Sequence, residues 1–225
     1  MDANRQEWAQ RQQDVRRLLA RPATHAEAIR LWLRQHAALH ARGLADDQEW
    51  SFQDEVLADL ADAHLRRSPD AGSHSIAWLL WHIARIEDVT MNLLVAGQPQ
   101  VLDSEWTGRL GLARRDVGTG MDDAEVADVS ARIDIGALLA YRLAVGGCTR
   151  TIVGGLQPAD LWQAIEPPRI AELLAAGAVS GAARDLAETW ATWKKVRFLL
   201  MPATRHSFTH LNEARRLRSK VRRHA

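Results

Sequence analysis

The amino-acid sequence predicts an all-α protein, a bundle organised on four long amphipathic helices. Three observations predict it. Apolar residues recur at helical spacing over 24–42, 74–97, 134–154 and 203–223. No segment alternates apolar and polar residues as a half-buried strand would. The connections between the four segments are long, which suits crossover topology better than a simple up-and-down chain. The 225 residues suit one domain with elaborations. A composition of 47% hydrophobic and 25% charged residues is ordinary for a soluble globular protein.

Residues 1–22 are expected to form an N-terminal helical extension, a polar helix over 3–20 stopped by Pro22. The bundle domain occupies 23–225. Thr24 is expected to cap its first helix, with Glu27 at the capping-box position and Gly43 past the end. Ile29, Leu33, His36, His40 and Leu44 fall on one stripe of that helix. A helix over 51–66 opens at Ser51, with Asp54 and Glu55 in its first turn. "RRSPDAGS" breaks it.

The most apolar helix follows, over 74–97, started by Ser73 and ended at Gly97. Ile76, Leu79, Leu80, Ile83, Ile86 and Leu94 define its core side. Residues 98–121 are expected to be a long loop, and loops of that length are often functional. Asp122 or Asp123 starts a short helix. The third long helix, from about 134, carries Leu138, Leu139, Tyr141, Leu143, Val145 and Ile152. Residues 156–193 form a helical insertion before the last bundle helix, expected to be irregular where Pro158, Pro167 and Pro168 punctuate it. Helix resumes over 182–200, and Pro202 opens the last helix, over 203–223.

Composition excludes several functions. A net charge of +1 argues against a general polyanion binder. The basic tail "RRLRSKVRRHA" falls in the last turns of a helix, where Arg and Lys offset the helix dipole, so nucleic acid is not the expected partner. Cys148 is the only cysteine, which rules out an intrachain disulfide and fits a reducing cytoplasm. The N-terminal stretch has no apolar run for a signal peptide, and no run suits a membrane span.

Candidate chemistry lies in the nine histidines. In "RHSFTHLNE", His206 and His210 stand four apart on the stripe continued by Ala214, Leu217 and Val221. Residues four apart share a helix face, with Cβ atoms roughly 5–6 Å apart, so both imidazoles can reach one ion. A third histidine from a neighbouring helix would complete a three-nitrogen site with an open position, the catalytic pattern. His82 flanks the apolar face of its helix, near Trp78 and Ile86. "HAALH" places His36 and His40 four apart as well, and spacing alone does not choose between the two pairs. Either pair could equally be core residues bonded to backbone carbonyls.

"GSHSIAWLLWHIARIEDVTMNLLVAG", followed far downstream by "RHSFTHLNEARRLRSK", resembles the DinB/YfiT-like superfamily over roughly residues 24–220. The shared pattern is one histidine inside the second bundle helix and H-x-x-x-H opening the fourth. His82, His206 and His210 stand at those positions. The resemblance implies a DinB-like four-helix bundle holding a divalent metal, nickel or zinc, between its second and fourth helices. It also implies a homodimer, and a transferase or isomerase that uses a low-molecular-weight thiol such as mycothiol, bacillithiol or glutathione. The alternative is a stress-related protein that binds a metal or small molecule without turnover.

The N-terminal helix and the insertion depart from the family pattern. Glu213, three residues after His210, departs from it too, since some relatives keep a carboxylate two residues on. Glu213 is expected to support an imidazole or to lie on the surface. Tyr141 and Trp81 are the other candidate pocket residues, with His36 and His40 ranked behind the triad. Trp78, Cys148 and Arg205 are assigned to packing, to an inert buried thiol and to solvent, respectively.

Overall fold

The computed structural model of the protein describes residues 2–70 and 72–222. It is helical throughout, and the only strand-like pairing among the described residues is an isolated bridge between Ala164 and Lys194. The first helices are α1, Ala3–Leu19, and α2, His25–Ala37. They pack side by side, with Trp8 Nε1 donating to the Gln35 carbonyl at 3.1 Å. Trp8 also stacks on Phe208 at 3.9 Å, so the N-terminal helix shares the core of the bundle.

Two expectations about this region need correction. Thr24 does not cap α2, because its hydroxyl donates backward to the Leu18 and Arg21 carbonyls, at 2.7 and 3.0 Å. The α-helix stops at Ala37 instead of running to 42. The segment 48–52 claims the carbonyls that would extend it: Gln48 Nε2 reaches Ala37, Phe52 N reaches Ala38 and Ser51 Oγ reaches His40, at 2.8, 2.8 and 2.6 Å.

The expected helix over 51–66 divides into α3, Phe52–Leu57, and α4, Asp62–Leu65. Asp59 between them is left-handed, with φ 58°. Arg218 takes the Glu55 and Ala58 carbonyls there, at 3.0 and 2.8 Å. Helix α5, Ile76–Asp88, is capped by Ser75, not Ser73, with Ser75 Oγ accepting from Trp78 N at 3.0 Å. All its residues are buried. A π-helical stretch, Val89–Ala96, continues it to Gly97, which is left-handed as a helix stop requires.

The expected loop over 98–121 contains α6, Ser104–Leu110, capped by Asp103. Next come α7, Asp123–Arg132, with an Asp122/Glu125 capping box, and α8, Ile135–Gly155. The insertion over 156–193 is helical, and its Pro-punctuated part is more regular than expected. It holds α9, Pro167–Ala175, and α10, Arg184–Ala191. Its Leu161, Ile165, Leu173, Trp190 and Trp193 join the core around Trp32 and Ile86.

The expected helix over 182–200 breaks before α11, Lys195–Leu200, where Lys195 N bonds the Gln163 carbonyl at 3.0 Å. A second π-helical stretch, Met201–His206, leads into α12, Ser207–Val221. Helix α5 packs on α8 and α12, α2 packs on α8, and the two π-helical stretches touch. These four helices make the bundle.

Candidate metal centre

Helix α5 is buried on every side, so each of its polar residues must find a partner in the interior. At about 100° per residue, His82, Arg85 and Glu87 point in different directions. Arg85 and Asp88 face α8 and the 98–117 connection. Arg85 donates to Asp88, Tyr141 and Gln100, at 2.9, 2.7 and 2.6 Å, and Tyr141 donates to Asp88 at 2.5 Å. The Tyr141 hydroxyl is thus committed to a structural network, and burial pushes its pKa well up. Glu87 faces α2. His82 faces α12.

The structure brings His82, His206 and His210 together. Their ring centroids lie 5.0 Å (His82–His206), 5.2 Å (His82–His210) and 4.6 Å (His206–His210) apart. One ligand atom from each lies within 4.8 Å of the others. His82 is 5% exposed, and its Nδ1 sits 2.5 Å from the Val117 carbonyl. A carbonyl only accepts, so Nδ1 carries the proton and Nε2 keeps its lone pair. His210 repeats the arrangement, with Nδ1 donating to Glu213 Oε2 at 2.9 Å. His206 stands where the π-helical stretch meets α12, and its buried Nδ1 has no partner.

Two imidazoles thus have one nitrogen anchored by an oxygen and the other free, and the third has an orphaned nitrogen. Metal-ligating histidines are oriented in this way by carbonyls and carboxylates. The donor set fits a divalent ion. Burial, above all, lowers the His82 pKa to about 3, although the Val117 hydrogen bond opposes it. Burial, then His82 and His210, holds His206 well below the usual range. At neutral pH both rings are uncharged with lone pairs available. Glu213 is pulled down to about 2 by hydrogen bonds from His210 and His74, so it is a carboxylate there.

Two features around the triad are not evident in the sequence. His74, Trp78 and His82 form a column, with His74 stacked on Trp78 at 3.9 Å and Trp78 on His82 at 4.8 Å. Glu213 lies between His210 and His74, whose Nδ1 is 3.4 Å from Oε1. Spacing could have flagged His74, four residues before Trp78 and eight before His82. The second feature is the loop that carries the Val117 carbonyl. Val117 N bonds the Ala178 carbonyl at 3.0 Å, which ties the loop to the insertion. No sequence pattern announces that contact.

The remaining candidates lie elsewhere. Trp81 is fully buried, pressed against Gly118, where an added Cβ would stand 2.5 Å from its ring. Cys148 is half-buried, and its thiol donates to Asn92 Oδ1 at 3.1 Å. Arg205 is exposed. His36 and His40 do not join the triad and meet Glu87 instead.

A helical bundle that brings three histidines within reach of one ion defines a class of scaffold with a candidate metal centre. The sequence model of the DinB superfamily matches residues 45–214, and the chain belongs to that superfamily. A comparison with curated proteins finds no match. No helix among the described residues is long and apolar enough to cross a membrane.

Proposed function

We propose that the protein holds a divalent metal, nickel or zinc, through His82, His206 and His210. We propose further that it is a transferase or isomerase using a low-molecular-weight thiol. The supporting observation is the paired anchoring of His82 by Val117 and of His210 by Glu213, which leaves free nitrogens beside the orphaned nitrogen of His206. Three protein nitrogens leave a position open. A divalent ion in such a site lowers the pKa of a bound water or thiol and acts as a Lewis acid.

The chain's own residues contribute the rest. Val117 and Glu213 fix the ring orientations. Trp78 and the bundle core keep water from one side of the site. His210, Glu213 and His74 are 20%, 36% and 35% exposed at the side chain, so a small molecule reaches the triad past them. The negative charge of Glu213 at that entrance holds the His210 Nδ1 proton in place. In this reading the protein works in the cytoplasm as a homodimer, an arrangement common in the superfamily.

The test is metal analysis of protein purified without a histidine tag, after incubation with nickel and zinc. Thiol consumption with mycothiol, bacillithiol and glutathione against an electrophilic acceptor is measured in parallel. His82→Ala and His210→Ala should each lose one equivalent of metal and any thiol-dependent turnover. Full metal content in both variants would refute the site. Metal binding without turnover for any thiol supports the second reading, a non-catalytic metal or small-molecule binder.

A further inference from the structure

A second group of metal-ligating side chains lies in the interior, away from the triad. His36 on α2, His40 in the turn after it, and Glu87 on α5 are 0%, 1% and 0% exposed. One ligand atom from each lies within 4.8 Å of the others. His36 Nε2 is 2.8 Å from Glu87 Oε1, and His40 Nε2 is 3.3 Å from Glu87 Oε2. Two ligands at about 2.1 Å from one tetrahedral ion stand roughly 3.4 Å apart. The His40–Glu87 separation is close to that, and the His36–Glu87 separation is shorter, at hydrogen-bond distance.

The protein alone satisfies these groups only in part, through the 2.8 Å hydrogen bond between His36 Nε2 and Glu87 Oε1. His40 Nε2 and Glu87 Oε2 face each other at 3.3 Å without hydrogen-bond geometry, and His40 Nδ1 and His36 Nδ1 have no hydrogen-bond partner. Each such buried atom costs about 1–3 kcal/mol. Glycine makes room for the His40 ring, since a Cβ on Gly146 would stand 2.9 Å from its Cε1 and Nδ1. We propose that His36, His40 and Glu87 form a second, enclosed metal site that ties α2 to α5 and takes a zinc-like transition ion.

The chemistry of the donor set narrows the ion. Two imidazole nitrogens and one carboxylate suit zinc and its neighbours. Magnesium and calcium need more oxygen ligands than one carboxylate supplies. Arg142 lies close by, donating to Gln53 Oε1 and to the Leu39 carbonyl at 2.7 and 3.1 Å. Its charge balances Glu87 and opposes any cation, which further disfavours ions held by charge alone. With no exposed side chain, the ion would enter as the chain folds and exchange slowly afterwards.

The experiment separates this site from the triad. The full chain carrying His206→Ala and His210→Ala is refolded with zinc, dialysed against a chelator and analysed for metal, with circular dichroism as a check of folding. It should retain one equivalent. Adding Glu87→Gln or His40→Gln should abolish that retention. Magnesium in place of zinc should leave none. A folded triad variant without zinc overturns the proposal, as does zinc retained undiminished in the Glu87→Gln and His40→Gln variants. Should the triad variant fail to fold, the wild-type chain refolded with zinc decides. Two equivalents falling to one with Glu87→Gln support the second site, and a single equivalent overturns it.

Discussion

Replacing Glu213 by Gln separates metal affinity from fold stability. The carboxylate accepts from His210 Nδ1 at 2.9 Å and faces His74 Nδ1 at 3.4 Å. An amide of the same shape keeps one acceptor oxygen, but it removes the charge and turns an NH2 toward one of the two imidazoles. Losing the partner of a metal-ligating histidine lowers metal affinity about 10–100-fold. That corresponds to about 1.4–2.7 kcal/mol. The effect on the fold should be smaller. The Glu213 side chain is 36% exposed, and a pair screened by solvent contributes less than about 1 kcal/mol. In a chain of this size that moves Tm by less than about 4 °C. Zinc affinity, measured by competition with a chromophoric chelator, should fall while the melting temperature of the metal-free variant holds. Zinc affinity within about twofold of wild type would refute the orienting role of Glu213.

Other outcomes follow from the same geometry. Gly118 is left-handed at φ 81°, and a Cβ there would stand 2.5 Å from the Trp81 ring. Gly118→Ala should therefore cost about 1–3 kcal/mol, seen as a lower urea midpoint, and should weaken metal binding by displacing the neighbouring Val117 carbonyl. Trp190 is 2% exposed in the core that the insertion shares with the bundle. Trp190→Ala should cost about 3–5 kcal/mol, and a loss below about 1 kcal/mol would show that the insertion folds apart from the bundle. For metal-free protein, His40 and His82 have folded pKa values lowered to about 4 and 3, and His206 is also lowered, all chiefly by burial. Below the unfolded value of about 6.5 the unfolded chain binds more protons, so stability should fall as pH drops toward 4, by up to about 1.4 kcal/mol per pH unit for each ring. A urea midpoint constant between pH 7 and 5 would contradict this. Glu213, depressed to about 2, adds stability that is fully present above its unfolded value and is lost progressively as pH falls from there through about 2.

The helices were legible where periodicity is local and strong. The most apolar segment formed α5 and its π-helical continuation, ending at Gly97. Boundaries were less legible where distant groups intervene. Helix α2 ends early because Gln48, Ser51 and Phe52 take its last carbonyls. The helix expected over 51–66 breaks where Arg218 binds the Glu55 and Ala58 carbonyls. A Pro-marked stretch hid helix α9 because its apolar face is short and meaningful only against the π-helical stretch it packs on.

The sequence by itself determined the helical class and the shared face of His206 and His210, since four-residue spacing on a helix is a local property. It also set the equivalent pairing of His36 with His40, and so left two candidate sites. Only the tertiary structure decided which partner each pair meets. His82 and Glu87 lie on one helix, five residues apart, and point to different neighbours. One faces α12 and completes the histidine triad; the other faces α2 and meets His36 and His40. The Val117 carbonyl and the bridging position of Glu213 likewise depend on chain segments far apart in sequence. Periodicity specifies which side of a helix is buried, but packing across the bundle selects what that side touches.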